Sequence, residues 1–462
     1  MKISIKNLGA IKQAEFELGD LTIICGENNT GKTYATHATY AFFDFLKSNA
    51  RFTLDKSTIQ KLLNEGVVTI DLNIYIKNFN KSIQSDSTRF SKILSNVFAG
   101  DEKHFEQTKF SVHLDQSSLV INSQLHAKFG SAEKSVLDIK SVEGKNQLVA
   151  TLIIDKLSDE VPPHHVLESM LIDSIRDALF IDNIPNPFLA SAERTGAAIF
   201  QKELDFTRNR LIEFLGDKSS KISPIQLLGK FSGEYPIAVR RNVDFIRNLP
   251  NLTHREGFLL KKYPEILKSF SDIIGGEYKV SKDGEVQFLP NGNKRIKLSL
   301  VESSSAVRSL LDIGFYLRHV ASPGDLLMVD EPELNLHPAN QRRVARLFSQ
   351  LVNLGIKVFI TTHSDYIIKE LNTLIMLNQK DERLQEIARN EGYKKSELLD
   401  ANKVKVYMAV EELVKVDGAQ RKTKCQTLVA ADIDSKLGIE AKSFDKTIED
   451  MNRIQDEIVW GA

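Results

Sequence analysis

The stretch LTIICGENNTGKT, residues 21 to 33, constrains this chain more than any other. Leu21 to Cys25 reads as a short buried strand. Gly26, Gly31, Lys32 and Thr33 then satisfy the spacing G-x-x-x-x-G-K-[ST] without a mismatch. The following residues, TYATHATYAFFDFLKS, read as a helix. A loop between buried strand and helix has to turn back on itself, so successive N–H groups point inward at one place. Glycine permits the backbone angles and the close approach this needs. The ligand implied by a ring of donors, a lysine and a helix N-terminus is an anion. Residues Gly26, Glu27, Asn28, Asn29, Thr30, Gly31, Lys32 and Thr33 are therefore expected to cradle the phosphates of ATP. Lys32 would supply charge at the β- and γ-phosphates, and Thr33 a hydroxyl to Mg²⁺. A bare glycine turn is the plain alternative, and the correct strand and helix flanks count against it.

A second stretch asks for such a partner. In LLMVDEPELNLHP, residues 326 to 338, Leu326 to Val329 read as a strand covered on both faces. Asp330 and Glu331 then stand where the strand meets solvent. Adjacent carboxylates repel and add nothing to packing. Beside a phosphate loop their adjacency has a reason: Asp330 would hold Mg²⁺, and Glu331 would polarise the water attacking the γ-phosphate. KVFITTHSDYII supplies another buried strand, Val358 to Thr361, with His363 at its tip. One helical stretch, ANQRRVARLFSQLVNLG, separates it from the acids, and such a crossover puts both tips on one sheet edge. His363 would there reach the γ-phosphate. Upstream, LSLVESSSAVRSLLDIGFYL sets Ser303, Ser304 and Ser305 before an amphipathic helix. Plain N-capping needs one serine; three suggest an anion site.

The order of phosphate loop, long interruption, serine-rich segment, DEPELNLHP and TTHS resembles ATP-binding-cassette ATPases of the SMC/RecF type. The resemblance implies an α/β fold, an ABC-type ATPase head with a mixed sheet and P-loop, an antiparallel β lobe and a short helical insert. It implies ATP and Mg²⁺ as cofactors, and two heads that sandwich two ATP molecules. Lys32, Glu331 and His363 take the catalytic positions, with Glu331 as base and His363 as switch. Thr33 and Asp330 take the metal positions. Leu334 to Pro338 match the loop that communicates between heads, and Ser303, Ser304 and Ser305 the signature that acts in trans. Ala306 stands where the usual signature has glycine. The segment LASAERTGAAIFQ, residues 189 to 201, resembles the PAER segment of related ATPases. Glu193, Arg194 or Gln201 line the site in one reading and form a helix-start salt bridge in the other.

The remaining chain sets the organisation. Four regions are expected: an N-terminal ATPase lobe over 1–160 with the antiparallel β subdomain, a helical insert or arm over 161–275, a C-terminal ATPase lobe over 276–380, and an extension over 381–462. GVVTIDLNIYI, residues 66 to 76, alternates as a strand, and two later stretches read as strands with turns. From Pro162 the pattern turns helical, in HHVLESMLIDSIRDALF, QKELDFTRNRLIEFLGD and GFLLKKYPEILKSFSDIIGG. Pro185, Pro187, Pro224, Pro236 and Pro250 interrupt any heptad, so a compact arm is expected rather than a long coil. Leu167, Met170, Leu171 and Ile175 read as core, with a contact surface as the alternative. Lys plus Arg and Asp plus Glu both count 61, which gives no support for a dedicated nucleic-acid coat. The only cysteines, Cys25 and Cys425, have no metal spacing and fit a reducing compartment. With neither a signal peptide nor a membrane span in the pattern, the expected place is the cytoplasm. No nuclease ligand set is evident.

Within the class, the short insert, EPELNLHP and GIEAKSFDKTIEDMNRIQDEI look similar to stand-alone bacterial antiphage ATPases, those of the Septu (PtuA), PARIS (AriA) and OLD-type defence systems. That resemblance implies a homo-dimer or higher oligomer of heads, a DNA or phage trigger, and a separate effector protein, a nuclease. The alternatives are a RecF-like repair ATPase that binds DNA directly and a nucleotide sensor with little turnover.

Overall fold

The computed structural model describes residues 1–115, 119–130, 135–153, 162–200, 235–293, 295–417, 420–439 and 453–458. They fall into two compact units. The stretch QKELDFTRNRLIEFLGD and most of the C-terminal SFDKTIEDMNRIQDEIVW lie outside the described residues.

The unit formed by Met1–Ile3, Phe42–Ser91 and Phe110–Asn186 carries an antiparallel sheet. Its strands run in the order Val67–Asp71, Gln147–Leu152, Ser135–Ser141 and His126–Gly130. Val68 and Ile70 face inward while their neighbours face out, the alternation that marks a one-sided sheet. The strand expected over residues 66–76 ends early, at Asp71. The Asp71 carboxylate accepts the N–H of Asn73 at 3.0 Å, and the helix Asn73–Ser91 begins there. Four alternating residues cannot distinguish the two periods. Phe79, Ile83 and Phe90, buried on one helical face, decide it. Phenylalanines fill this core, with Phe42 edge-on to Phe90 at 5.3 Å and Phe79 edge-on to Phe180 at 5.9 Å. The helix His164–Phe180 buries Leu167, Leu171 and Ile175, with Met170 half-buried beside them.

The second unit, Ser4–Ala41, Lys92–Lys109 and Pro187–Ala462, is built on a mixed sheet. Across it run Thr423–Ala430, Val404–Val414, Leu21–Gly26, Lys357–Thr362, Asp325–Asp330 and Asn186–Ala190. The strands at 21–26, 325–330 and 357–362 pair in parallel, as do 404–409 with 21–26. Thr423–Ala430 closes the edge antiparallel. The expected α/β class with a mixed sheet is borne out. Leu21, Ile23, Leu327, Val329, Val358 and Ile360 share one core with the helices Leu311–His319, Pro338–Asn353 and Asp365–Met376. Each such side chain contributes about 1.5–3 kcal/mol on burial. That burial fixes the register, and the register matters. Cys25 lies beside Thr362, and Asp330 beside Thr361, so the tips of three strands end at one level. In a parallel sheet that carboxyl edge is where ligands bind. No helix among the described residues is long and apolar enough to cross a membrane.

The helices Phe258–Lys262 and Pro264–Ile274, from the stretch expected as an arm, join this same core through Leu259, Ile266 and Phe270. The strand Val404–Val414 comes from beyond residue 381 and lies directly beside the phosphate-loop strand.

Candidate nucleotide-binding site

The phosphate loop has the backbone its glycines allow. Gly26 has φ +140°, and a Cβ there would stand 2.6 Å from the Ala409 carbonyl oxygen. Gly31 has φ +93°, and a Cβ would stand 2.7 Å from Ile11 Cγ1. Neither position tolerates a side chain. The Thr30 hydroxyl donates to the Glu27 carbonyl at 2.8 Å and pins the turn. The helix Lys32–Asn49 starts at the loop's end and aims its free N–H groups into it. An open cavity of about 600 Å³ lies over the loop, lined by Ala10, Asn28–Tyr34, Glu331 and His363.

Lys32, His363 and Glu331 meet at this cavity. The Lys32 ammonium donates to the carbonyls of Gly26 at 3.0 Å and Glu27 at 2.6 Å. Burial lowers its pKa, while the charges of Glu331 and Asp330 pull the other way. His363 Nδ1 lies 3.0 Å from the Gly26 carbonyl oxygen, and Nε2 lies 2.6 Å from Glu331 Oε1. Both neighbours are acceptors, so both bonds form only with the imidazolium. The hydrogen bond to Glu331 raises the His363 pKa against the opposing effect of burial.

Glu331 sits in strained backbone, at φ +51°. Three contacts hold it there. Its N–H donates to the Thr361 carbonyl at 3.1 Å and to the Thr361 hydroxyl at 3.2 Å. Its carbonyl accepts from Arg194 Nη2 at 2.9 Å.

Asp330 is fully buried. Its Oδ1 accepts from the Thr361 hydroxyl. Its Oδ2 has no hydrogen-bond partner and lies 3.6 Å from His37 Nε2, itself buried and unpartnered. Burial pushes the carboxyl up, but His37 and the hydroxyls of Thr361 and Thr33 outweigh it, and the pKa falls below the usual range. A buried carboxylate oxygen without a donor, beside the Thr33 hydroxyl, suits a hard cation. Among the described residues no group of three or more His, Cys, Asp or Glu forms a cage. Mg²⁺ bound chiefly by phosphate oxygens and water needs none. The donor set therefore fits Mg²⁺ held by Thr33 and Asp330.

Two neighbours were not legible as site residues, and a third stood open between two readings. Glu333 accepts the His363 N–H at 2.7 Å and the Thr362 hydroxyl at 2.9 Å, and so holds the backbone that carries His363. Burial raises its pKa, with the His363 N–H and Thr362 bonds opposing. A third acid in DEPEL was the available signal. His37, one turn beyond Thr33 in the same helix, is the second. Arg194 is the third, and it forms no helix-start salt bridge. Its guanidinium spans the Ser309, Ser191, Asp330 and Glu331 carbonyls. Glu193 is exposed and does not line the cavity, and Gln201 lies outside the described residues.

The three serines separate. Ser303 is buried, and its hydroxyl donates to the Ser299 carbonyl at 2.7 Å. Ser304 caps the helix Ser305–Ser309 by accepting the Val307 N–H at 3.3 Å. The Ser305 hydroxyl accepts from Arg308 Nη2 at 3.1 Å. Ser304 and Ser305 are exposed, and neither lines the cavity over the phosphate loop.

The family model for an AAA ATPase domain matches residues 1–177 and 193–368. The chain belongs to the AAA ATPase-domain family. The match bears out the expected ATPase, and its span takes in the phosphate loop, the serines, both acids and His363. The comparison with curated proteins returned no match. Among solved structures, the chain is similar to an SMC head bound to the C-winged helix domain of ScpA, at 11% identity and TM-score 0.32, covering 92% of this chain and 97% of that one. It is similar to the SMC head domain from Thermotoga maritima, at 10% identity and TM-score 0.29, covering 94% and 98%. A Pyrococcus furiosus SMC head with an extended coiled coil, bound to the C-terminal domain of ScpA, gives 11% identity and TM-score 0.32, covering 98% of each. At such scores the likeness is distant, and the family of this ATPase rests on the domain match.

Proposed function

We propose that this ATPase encloses ATP and Mg²⁺ between two copies of itself, hydrolyses the ATP with Glu331 as base, and uses closure to control a separate nuclease in defence against phage. The observation that carries the catalytic part is the meeting of Lys32, His363 and Glu331 at one cavity, above a loop shaped for phosphate.

Lys32 and His363 both lean on the Gly26 carbonyl, and His363 occupies Glu331. A γ-phosphate is a stronger acceptor than a carbonyl for either cation. It would draw Lys32 off the loop and His363 off Glu331. The freed carboxylate then takes a proton from water as the water oxygen bonds to the γ-phosphorus. The bond to the β–γ bridging oxygen breaks, and ADP and phosphate result. Mg²⁺, when held by Thr33 and Asp330, neutralises charge on the β- and γ-phosphates. Ser304 and Ser305, exposed and away from this chain's own cavity, are suited to complete the site of a second copy.

The defence reading rests on the resemblance of the motif order, short insert and C-terminal segment to antiphage ATPases, and on the balanced charge of 61 against 61. Its test is co-purification with the proteins encoded beside the gene, with and without ATP. The expected result is capture of a nuclease whose affinity changes at least several-fold with ATP. DNA or RNA degradation by the purified chain alone, lost in Lys32→Ala, would contradict the two-component reading. ATP-dependent DNA binding with no captured nuclease would replace it with a repair ATPase.

A further inference from the structure

We infer that Arg194 is a positioning residue that ties the serine-bearing helix to the backbone beneath Glu331, so that engagement of the serines aligns the base. The inference rests on the proposed role of Glu331 and adds to it a residue of the segment 189–201 that touches its backbone.

Arg194 is 1% exposed, among the largest fully buried side chains in the described residues. It makes no hydrogen bond to a carboxylate among the described contacts. Nε donates to the Ser309 carbonyl at 2.6 Å. Nη1 donates to the carbonyls of Ser191 at 2.8 Å and Asp330 at 2.6 Å. Nη2 donates to the Glu331 carbonyl at 2.9 Å. One rigid plane thus joins the last residue of the helix Ser305–Ser309 to the two acids. Ser309 adds a parallel link, since its hydroxyl donates to the Leu334 carbonyl at 3.1 Å, just past the acids.

Burying a cation is unfavourable, and an apolar side chain of the same volume would serve packing as well or better. Stability alone does not account for a guanidinium here. Its planar fork does, because no other side chain can hold carbonyls from three elements in one plane. The bond to the Glu331 carbonyl also falls at the residue with φ +51°, where the backbone needs holding. Asp312 lies at the start of the next helix, fully buried, with both carboxylate oxygens free of hydrogen bonds. It is the carboxylate that acts most strongly on Arg194. Burial raises Asp312 to about 7, with Arg194 opposing. The arginine is therefore held by hydrogen bonds to the serine-bearing helix and to the acids at once, with Asp312 of the helix Leu311–His319 as its nearest-acting carboxylate.

The test compares Arg194→Met, Glu331→Gln and the double variant, measuring ATP affinity and turnover on each. Arg194→Met is expected to keep ATP affinity within about 3-fold and lose turnover on the order of 30-fold, a split that a role in nucleotide binding would not produce. The double variant is expected to be no slower than Glu331→Gln, since Arg194 acts through that carboxylate. Multiplying losses in the double variant, or unchanged turnover in Arg194→Met, would overturn the inference. If Arg194→Met does not fold, Ser309→Ala carries the same test. It removes the hydroxyl shared between the Leu334 and Ala306 carbonyls and leaves Arg194 in place, and its loss should likewise vanish in the Glu331→Gln background; a loss that persists there would overturn the inference. Failure of the underlying reading looks different: Glu331→Gln itself would turn over ATP like the wild type.

Discussion

Glu331→Gln is expected to lower ATP turnover by 10²- to 10⁴-fold, the usual worth of a positioned general base. That is about 3–5 kcal/mol of barrier. The amide keeps the shape of the side chain but takes up no proton. ATP affinity should stay within a few-fold or rise, because the phosphate contacts come from the loop and Lys32. The variant also removes the anionic partner that raises the His363 pKa. His363 should then titrate at lower pH without nucleotide, which an imidazole proton signal would follow. Nucleotide binding, turnover and that titration together separate loss of the base from loss of the fold. Unchanged turnover would remove Glu331 from the base role.

Lys32→Ala is expected to weaken ATP binding on the order of 100-fold, from loss of two charge-assisted contacts at about 1.5–3 kcal/mol each, partly offset by the donors that remain. The same change takes one donor from each of the Gly26 and Glu27 carbonyls, which keep His363 and the Thr30 hydroxyl. Folding should therefore survive, and a fluorescent ATP analogue would report the affinity. Affinity within 3-fold of wild type would place the phosphates elsewhere.

Most of the candidate site was legible because each part is local. The glycine spacing, the acid pair on a buried strand and the histidine on the next strand are short patterns with one physical reading each. The parallel register then brings them together without further instruction. Partners that act through carbonyls left no such mark. Arg194 bonds to backbone, and a carbonyl looks the same under any side chain. The same holds for the serines. Which of them is free depends on Ser299 and Arg308, whose contacts no spacing encodes. Nothing local marks Val404–Val414 as the neighbour of Leu21–Gly26, because that pairing joins segments at opposite ends of the chain. The reading of residues 66–76 as one strand held to Asp71 and failed beyond it for a local reason: the Asp71 carboxylate takes the Asn73 N–H and turns the chain into a helix.

The claim that two copies share each ATP is tested most directly by mixing. One chain carries Ser304→Ala and Ser305→Ala, and the other Lys32→Ala. Each alone should be inactive. In a mixed dimer, the intact phosphate loop of the first faces the intact serines of the second, and turnover should reappear in proportion to the mixed species counted by native mass spectrometry. A mixture in which mixed dimers form and turnover stays at the level of the separate variants would contradict the shared site.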